Sequence, residues 1–338
     1  MEVNKRKAIA LYSGGLDSIL AIKIILDQDI EVIGVYFKTP FTKDEPDLYG
    51  KKYLNIPILI ENISNDFLKI LFNPKHGFGK NINPCIDCRI LMFQKAGELM
   101  AREKASFIIS GEVLGQRPMT QNKKSLLMIS EESGYGKYIV RPLSALLLPE
   151  TEVEKQNIVD RSKMMDIEGR SRKRQIAIAT QWGIKDYPTP AGGCKLTEPG
   201  FARRMRDLLD KGKLVENDIE LLKVGRHFNL QKYAKLIVGR NERENRMILT
   251  LARSQDYLLS SEKHKGPISL LRFYVDSELK GDELEKILDV AGKITARYCD
   301  KEQDTDLVDI NICRQNRIVK QLKQVSSLSQ QLIDLYLI

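Results

Sequence analysis

The sequence is poor in histidine, in tryptophan and in long apolar runs. Its 338 residues include three histidines and one tryptophan, and His76, His227 and His264 have no metal-binding spacing. Histidine-rich metal sites and histidine-driven catalysis are therefore not expected. The apolar stretches, such as residues 19–26, are far shorter than the roughly 20 residues that span a bilayer, and no signal-peptide pattern follows the basic start. We expect a cytoplasmic protein with no membrane partner.

Cysteine is also scarce, and negative charge is in deficit. Five cysteines, an odd number without an export signal, indicate free thiols or metal ligands rather than a disulfide framework. The 54 lysines and arginines against 45 acidic residues give a net charge of +9. This excess favours a polyanionic partner. The length suggests two domains, since one domain commonly has about 100 to 200 residues.

The first half of the chain alternates β-rich runs with amphipathic helical stretches, which predicts an α/β fold with helices on both faces of a parallel sheet. The predicted strands are residues 8–12, 31–37, 57–60, 107–110 and 138–141. The predicted helices are residues 17–27, 65–72, 85–104, 150–161 and 167–182. We expect this domain to cover residues 1–198.

The pattern changes near residue 198 and predicts a smaller α+β domain at residues 199–338. Its predicted strands are residues 235–239, 268–275 and 307–312. Its predicted helices are residues 201–211, 242–253 and 282–296. A boundary at this position separates the charged C-terminal half from the domain that holds the strongest motifs.

The strongest motif is S-G-G-L-D-S at residues 13–18, between a predicted strand and a predicted helix. Two glycines allow a tight turn around an anion, and the helix directs its first amides at the same place. The structural alternative is a turn in which Asp17 only caps the helix. The sequence G-x-x-x-x-G-K-[ST] of ordinary NTPases does not occur, so we predict a phosphate-binding turn of another kind.

This hexapeptide resembles the loop of the ATP pyrophosphatase (PP-loop) superfamily. The resemblance implies cleavage of ATP between the α and β phosphates, with Mg²⁺ positioned by Asp17. It also implies that adenine lies at the end of the second strand, where Tyr36 and Phe37 are candidate neighbours. The ATP-binding residues implied within the loop are Ser13, Gly14, Gly15, Leu16, Asp17 and Ser18.

Three of the five cysteines are candidates for chemistry. Cys85 and Cys88 open a predicted helix within one turn, where backbone amides and the helix dipole favour thiolates, and Cys194 ends a loop rich in Pro and Gly. Three thiols are one short of a closed zinc site, whereas a 4Fe-4S cluster on three cysteines leaves one iron open to a small ligand. Persulfide and disulfide chemistry, zinc, or inert thiols are the alternatives. Cys299 and Cys313 are interpreted as structural.

Three further motifs resemble tRNA thiouridine synthetases. N-P-C-x-x-C at residues 83–88 resembles a segment of tRNA 2-thiouridylases, while S-G-E-V-L-G-Q at residues 110–116 and R-P-L at residues 141–143 are similar to segments of tRNA 4-thiouridine synthetases. The resemblance implies an enzyme of the three-cysteine iron-sulfur type that adenylates a uridine carbonyl and replaces its oxygen with sulfur from a sulfide or sulfur donor.

The same resemblance assigns residues to this chemistry. Ser110, Gly111 and Gln116 would lie near the nucleotide or the target base. Cys85, Cys88 and Cys194 would ligate the cluster. With Asp17, these three cysteines are the predicted catalytic residues.

Basic segments supply candidates for tRNA binding. V-G-R-H-F at residues 224–228 and I-V-G-R-N-E-x-x-N at residues 237–245 resemble the RNA-binding module of the NFACT proteins. The surrounding excess of Lys and Arg suits a phosphate backbone, and a solvated helix face is the alternative. A second basic cluster lies at residues 170–174. The predicted RNA-binding residues are Arg170, Arg172, Lys173, Arg174, Arg226 and Arg240.

Two rival functions use part of the same set. A PP-loop enzyme that forms amides or acts on a small molecule would need residues 13–18 but neither the thiols nor the basic domain. A noncatalytic RNA-binding protein with a structural metal would need no ATP turnover. The sequence leaves open the position sulfurated, C2 or C4, the sulfur donor, and whether the protein is a monomer or a homodimer.

Overall fold

The computed structural model describes residues 6–42, 51–187, 194–212, 215–274, 281–300 and 307–338. The chain divides into two compact units, Met1–Thr197 and Glu198–Ile338. Every helix in the described stretches is too short or too polar to cross a membrane.

The first unit contains a sheet of five parallel strands in the order β3-β2-β1-β4-β5. The strands are β1 (Lys7–Leu11), β2 (Glu31–Lys38), β3 (Ile58–Asn62), β4 (Phe107–Ile109) and β5 (Ile139–Val140). The central strand β1 is apolar and buried from Ala8 to Leu11, as expected where helices cover both faces of a parallel sheet. The predicted α/β class is therefore confirmed.

The strand order changes direction at β1, because the chain fills one side of the sheet with β2 and β3 and the other side with β4 and β5. Open α/β sheets bind ligands at such a switch point, beyond the carboxyl ends of the strands. Residues 13–18 follow β1 and residues 110–116 follow β4. Two of the predicted motifs therefore meet where the topology opens a crevice.

The first unit has seven α-helices among its described residues. They are α1 (Leu16–Leu26), α2 (Lys51–Leu54), α3 (Ser64–Phe72), α4 (Cys85–Arg102), α5 (Lys123–Glu132), α6 (Glu152–Lys155) and α7 (Lys173–Gln181). The helix predicted at residues 150–161 is wrong beyond α6, because Asn157 adopts a left-handed backbone with φ of 55°, which ends a helix. The helix predicted from residue 167 begins later, since Gly169 has φ of 84° and Glu168 forms a β-bridge with Leu114.

The second unit is built on an antiparallel sheet in the order β11-β10-β8-β9-β7-β6. Its strands are β6 (Arg226–Gln231), β7 (Ala234–Val238), β8 (Tyr257–Ser261), β9 (Ser269–Phe273), β10 (Leu307–Arg314) and β11 (Arg317–Ser326). Its helices are α8 (Pro199–Asp210), α9 (Glu216–Leu222), α10 (Glu242–Leu251), α11 (Asp282–Arg297) and α12 (Gln330–Asp334). The apolar residues of α11 are buried with those of the strands in one core.

Candidate nucleotide and thiol site

The phosphate loop turns directly from β1 into α1. Gly14 has φ of 75°, a conformation that favours glycine, and Gly15 occupies the N-cap position of α1 with no side chain capping the helix. Asp17 lies in the first turn instead, so the alternative in which it caps the helix is wrong. The first amides of a helix have no intrahelical partner. This turn therefore presents backbone donors to an anion.

The two serine hydroxyls brace the loop from within. The amide of Gly15 donates to Ser13 Oγ over 3.3 Å, and Ser18 Oγ donates to the Gly15 carbonyl over 2.7 Å. The two hydroxyl oxygens lie 3.3 Å apart. The predicted loop residues are therefore held together before any ligand binds.

The segment that follows β4 packs against the start of α1. A Cβ atom added to Gly111 would lie 2.8 Å from the Asp17 carbonyl oxygen and 2.8 Å from the Ser18 amide. Ser110 is buried, and Gln116 Nε2 donates to Asp17 Oδ2 over 3.1 Å. The structure thus brings Gly111 and Gln116 to the phosphate loop. Their position near the nucleotide or the target base stays a prediction.

Replacing Gly111 with alanine should push the loop away from α1. Because backbone atoms of Asp17 and Ser18 cannot rotate aside, we expect a loss of about 1–3 kcal/mol in stability and weaker ATP binding. Thermal melting followed by tryptophan fluorescence measures the first effect. Gly15→Ala is the control for folding, since its Cβ would meet Ser13 Oγ at an ordinary 3.4 Å. Equal melting temperatures for both variants would contradict this account.

The carboxyl group of Asp17 has a shifted pKa. Burial raises the pKa of its carboxyl above the ordinary value, and this effect is opposed first by Arg172 and then by Gln116, Arg117 and Gln175. The guanidinium Nη2 of Arg172 lies 3.9 Å from Asp17 Oδ1. Sequence reasoning missed Arg117 and Gln175. The signal was the position of Arg117 beside Gln116 and the helical spacing of Arg172 and Gln175.

The basic cluster at residues 170–174 does not form one surface. Arg172 is half-buried against Asp17. Arg174 is exposed and pairs with Asp166 over 2.6 Å, and Arg170 and Lys173 are exposed. One of the four predicted RNA contacts therefore faces the phosphate loop.

Tyr36 and Phe37 are buried near the carboxyl end of β2. This end lies beside the end of β1 because the two strands pair in parallel register, with Leu11 opposite Val35. Their contact with adenine stays a prediction.

Cys85 and Cys88 occupy the first turn of α4, and hydrogen bonds fix that turn. Asn83 Nδ2 donates to Cys85 Sγ over 3.0 Å. Asp87, between the two cysteines, accepts the amides of Lys75 and His76, each over 3.1 Å. Asp87, one of the two residues between the cysteines, therefore has a structural role, because it anchors the preceding loop to the turn that carries the thiols.

Cys194 is tied to the same region through its own turn. The Cys194 carbonyl accepts from the amide and the hydroxyl of Thr197, over 3.0 and 2.7 Å. The Thr197 carbonyl in turn accepts from Asn81 Nδ2 over 2.8 Å, and the Lys195 amide donates to the Phe41 carbonyl. Residues 188–193, which hold the predicted Gly-Gly pair, lie outside the described residues.

The thiol of Cys88 interacts electrostatically with the thiols of Cys85 and Cys194. Burial raises the pKa of Cys88 to about 12, Arg89 opposes the rise, and Cys194 and Cys85 add to it. Burial therefore opposes the thiolate that the helix N-terminus favours at Cys88. A bound cation would reverse this preference.

Cys85, Cys88 and Cys194 are thiol donors, the ligand type that an iron-sulfur cluster takes. Among the described residues, no three His, Cys, Asp or Glu side chains stand as a ready metal site.

A buried charge network lies beside the thiols. Glu112, 2% exposed, contacts Arg89 over 3.1 Å and Arg141 over 3.0 Å. Arg141 also donates to Ser130 Oγ over 3.0 Å and lies over the Phe93 ring. Two motifs singled out in the sequence, the one that contains Glu112 and the one that begins at Arg141, therefore form one ion-pair network.

In the second unit, ion pairs reduce the positive charge counted from the sequence. Arg240 pairs with Glu244, and Arg226 lies over the Tyr298 ring, 4.5 Å from its centroid. The basic residues of 223–253 that form ion pairs are Lys223, Lys235, Arg240, Arg246 and Arg253. Within the described part of the chain, Arg226, Lys232 and Arg243 have none.

Two protein families match this chain. Residues 3–181 match the family described as "Thiamine biosynthesis protein (ThiI)", and residues 225–337 match "NFACT protein RNA binding domain". These matches confirm the resemblances carried by the motifs.

Two curated relatives show the range of similarity. A tRNA-specific 2-thiouridylase MnmA 2 from Fusobacterium nucleatum is 23% identical over 243 residues, which cover 68% of this chain and 66% of the relative. A probable tRNA sulfurtransferase from Thermococcus kodakarensis is 27% identical over 167 residues, 46% of this chain and 40% of the relative. The chain thus spans just under two thirds of the first relative and less of the second.

Solved structures give weaker matches. A 4-thiouridine synthetase in complex with RNA and ATP aligns over 53% of this chain and 52% of its own, with 19% identity and a TM-score of 0.34. An NH3-dependent NAD synthetase from Campylobacter jejuni aligns over 66% of this chain and 84% of its own, with 15% identity and a TM-score of 0.32.

Proposed function

This chain belongs to the ThiI family, and on that premise we propose that it is an ATP-dependent tRNA sulfurtransferase. It adenylates a uridine carbonyl oxygen and replaces that oxygen with sulfur. The observation that carries the proposal is the meeting of the phosphate loop with the loop after β4, whose Glu112 also holds Arg89 beside Cys88. An anion-binding turn and a set of thiols therefore share one end of one sheet.

Adenylation makes the carbonyl oxygen a leaving group. The oxygen attacks the α-phosphorus of ATP, a bond forms between them, and the bond from that phosphorus to the oxygen bridging to the β-phosphate breaks. The backbone amides of residues 14–18 and the hydroxyls of Ser13 and Ser18 hold the departing pyrophosphate. Asp17 Oδ1 is buried without a hydrogen-bond partner in the described residues, which suits Mg²⁺. When bound, that ion neutralises phosphate charge.

Sulfur then replaces the activated oxygen. Hydrosulfide adds to the uridine carbon, the bond from carbon to the adenylate oxygen breaks, AMP leaves, and the proton of the hydrosulfide is lost to solvent, so no oxidant is needed. Cys85, Cys88 and Cys194 would hold a 4Fe-4S cluster, which when bound supplies an iron that takes up sulfide. A persulfide on one of these cysteines is the alternative. It forms a disulfide during transfer and therefore requires a reductant.

The target uridine must come from a loop or leave its stack to reach the crevice. We propose that the second unit supplies sequence-independent tRNA affinity through its basic residues, including Arg226 and Arg240. Arg170, Lys173 and Arg174 on the first unit add phosphate contacts. Such binding weakens steeply as salt rises.

Substitutions that remove positive charge from the second unit should distinguish residues that contact RNA from lysines that stabilise the fold. We expect Lys232→Met combined with Arg243→Met to reduce the slope of log affinity against log salt by about 1–2 for tRNA with unchanged stability. Lys235→Met should instead lower stability and leave the salt dependence of tRNA binding unchanged. Burial lowers the pKa of Lys235 to about 8, and its ammonium pairs with Asp207 over 2.7 Å.

The measurements are tRNA binding at several salt concentrations and amide hydrogen exchange of β7. Lys235→Met should accelerate exchange and leave the salt slope unchanged. A reduced slope for Lys235→Met with normal exchange would contradict this assignment.

The proposed function is tested by incubating anaerobically reconstituted protein with ATP, sulfide and bulk tRNA. The RNA is digested and examined for thionucleosides by chromatography coupled to mass spectrometry. The C2 and C4 isomers have the same mass, so their retention and ultraviolet absorption distinguish them. AMP formation without thionucleosides would instead support the small-molecule or amide-forming rival. No ATP turnover would support the noncatalytic RNA-binding rival.

A further inference from the structure

Three polar side chains at the phosphate loop have buried atoms without a hydrogen-bond partner in the part of the chain that the structure describes. These atoms are Asp17 Oδ1, Arg172 Nε, and the amide oxygen and nitrogen of Gln175. Gln175 is 0% exposed. Buried polar atoms in proteins are nearly always hydrogen-bonded. Several exceptions in one place indicate a polar ligand that this crevice is built to receive.

The contact between Arg172 and Asp17 is loose for an ion pair. Their 3.9 Å separation is far longer than the 2.7–2.9 Å of a charge-assisted hydrogen bond. Asp17 makes its hydrogen bond through the other oxygen, to Gln116. Arg172 therefore offsets the negative charge of Asp17 without forming a close hydrogen bond to it.

The sequence position of Arg172 suggested RNA, but its surroundings suggest a nucleotide. Arg172 is the N-cap residue of α7, and Gln175 lies in the first turn of that helix. Arg172 is 18% exposed, whereas Arg170, Lys173 and Arg174 are exposed. Its guanidinium faces the turn whose backbone amides await an anion, and a planar guanidinium fork matches phosphate oxygens.

We propose that Arg172 and Gln175 belong to the ATP site and bind the triphosphate. On nucleotide binding, Arg172 turns from Asp17 to the β- and γ-phosphate oxygens and keeps hold of the pyrophosphate as it leaves. The amide nitrogen of Gln175 donates to a phosphate oxygen of the same ligand, which leaves Asp17 Oδ1 for Mg²⁺. The inference rests on the proposed function only in assuming that residues 13–18 bind ATP.

The chain carries its own reporter for this exchange. Trp182 is the one tryptophan and ends α7, while the ammonium of Lys23 from α1 lies over its ring, 5.8 Å from the centroid. A change in how α7 sits against α1 alters the surroundings of the indole. Its fluorescence therefore follows binding without any label or turnover.

The experiment titrates the full chain with Mg-pyrophosphate, Mg-ATP and AMP, followed by Trp182 fluorescence and calorimetry, and measures affinity for bulk tRNA separately. We expect Arg172→Met to weaken pyrophosphate and ATP binding about tenfold or more, the effect of losing a charge-assisted hydrogen bond. AMP and tRNA affinities should stay within about twofold. Gln175→Met should weaken ATP binding less.

Arg174→Met is the contrasting variant, since Arg174 lies two positions away and is exposed. It should lower tRNA affinity and leave pyrophosphate binding unchanged. If Arg172→Met melts at a lower temperature than the parent, Arg172→Lys, which keeps the charge without the fork, should still bind pyrophosphate more weakly.

Two results would overturn the inference: unchanged pyrophosphate affinity in both Arg172 variants, or a parent chain that binds no pyrophosphate. A parent chain that binds pyrophosphate through Arg172 but yields no thionucleoside would leave this inference standing and refute the proposed function.

Discussion

Replacing Cys194 with serine is expected to reduce thionucleoside formation about a hundredfold or more, while ATP binding persists. Cys194 contributes a thiol to the set that includes Cys85 and Cys88, and a hydroxyl is a poor substitute for a thiolate toward iron. Hydrogen bonds among Ser13, Gly15 and Ser18 hold the phosphate loop together. Loss of sulfur transfer should therefore be separate from loss of nucleotide binding.

Mass spectrometry of digested tRNA, iron content and visible absorption after anaerobic reconstitution measure the Cys194 effect together. The matched control is Cys313→Ser, because Cys313 is also partly exposed but lies in β10 of the second unit. The control should keep iron and activity. Full iron content and normal thionucleoside yield in Cys194→Ser would refute the assignment. Loss of thionucleoside with unchanged iron would favour the persulfide route.

Replacing Glu112 with alanine should destabilise the first unit by about 3–5 kcal/mol, because a buried carboxylate is removed from between two cations. Arg141 would keep only its bonds to uncharged groups at a position 6% exposed. Arg89 would lose the anchor that holds it beside Cys88. We therefore expect thionucleoside yield to fall at temperatures where the variant is still folded.

Urea denaturation followed by Trp182 fluorescence measures the Glu112 effect, because the single tryptophan lies in the first unit. Glu98→Ala on α4 is the control. Glu98 is 62% exposed and pairs with Lys95, so its loss should change stability by no more than about 0.5 kcal/mol. Similar losses for the two variants would show that the buried network contributes little.

The parallel sheet could be predicted because each of its long strands is a continuous apolar run between helical patterns. Strands of the second unit carried a weaker signal. β11 reads R-I-V-K-Q-L-K-Q-V-S and is largely exposed, so no apolar run marks it. The helix predicted at residues 150–161 failed because a left-handed residue is invisible to hydrophobic periodicity. Asparagine adopts the left-handed conformation more readily than most residues, but hydrophobic periodicity does not report that preference.

The site was predictable only where its residues are neighbours in sequence. Residues 13–18 and Cys85 with Cys88 are local motifs, so spacing alone identifies them. The approach of Arg172 to Asp17 joins positions far apart in the chain, and no periodicity reports it. The charge of the second unit misled for the same reason, since acids outside the basic segment, Asp207 and Asp218, pair with Lys235 and Arg253.

The loop after β4 contacts both the phosphate loop and the region of the thiols. Gly111 contacts the phosphate loop, Glu112 anchors Arg89 beside Cys88, and Gln116 holds Asp17. In the proposed reaction, one short stretch of backbone therefore links the groups that would adenylate the uridine to the thiols. An inserted residue there would shift the source of sulfur and the activated carbon relative to each other.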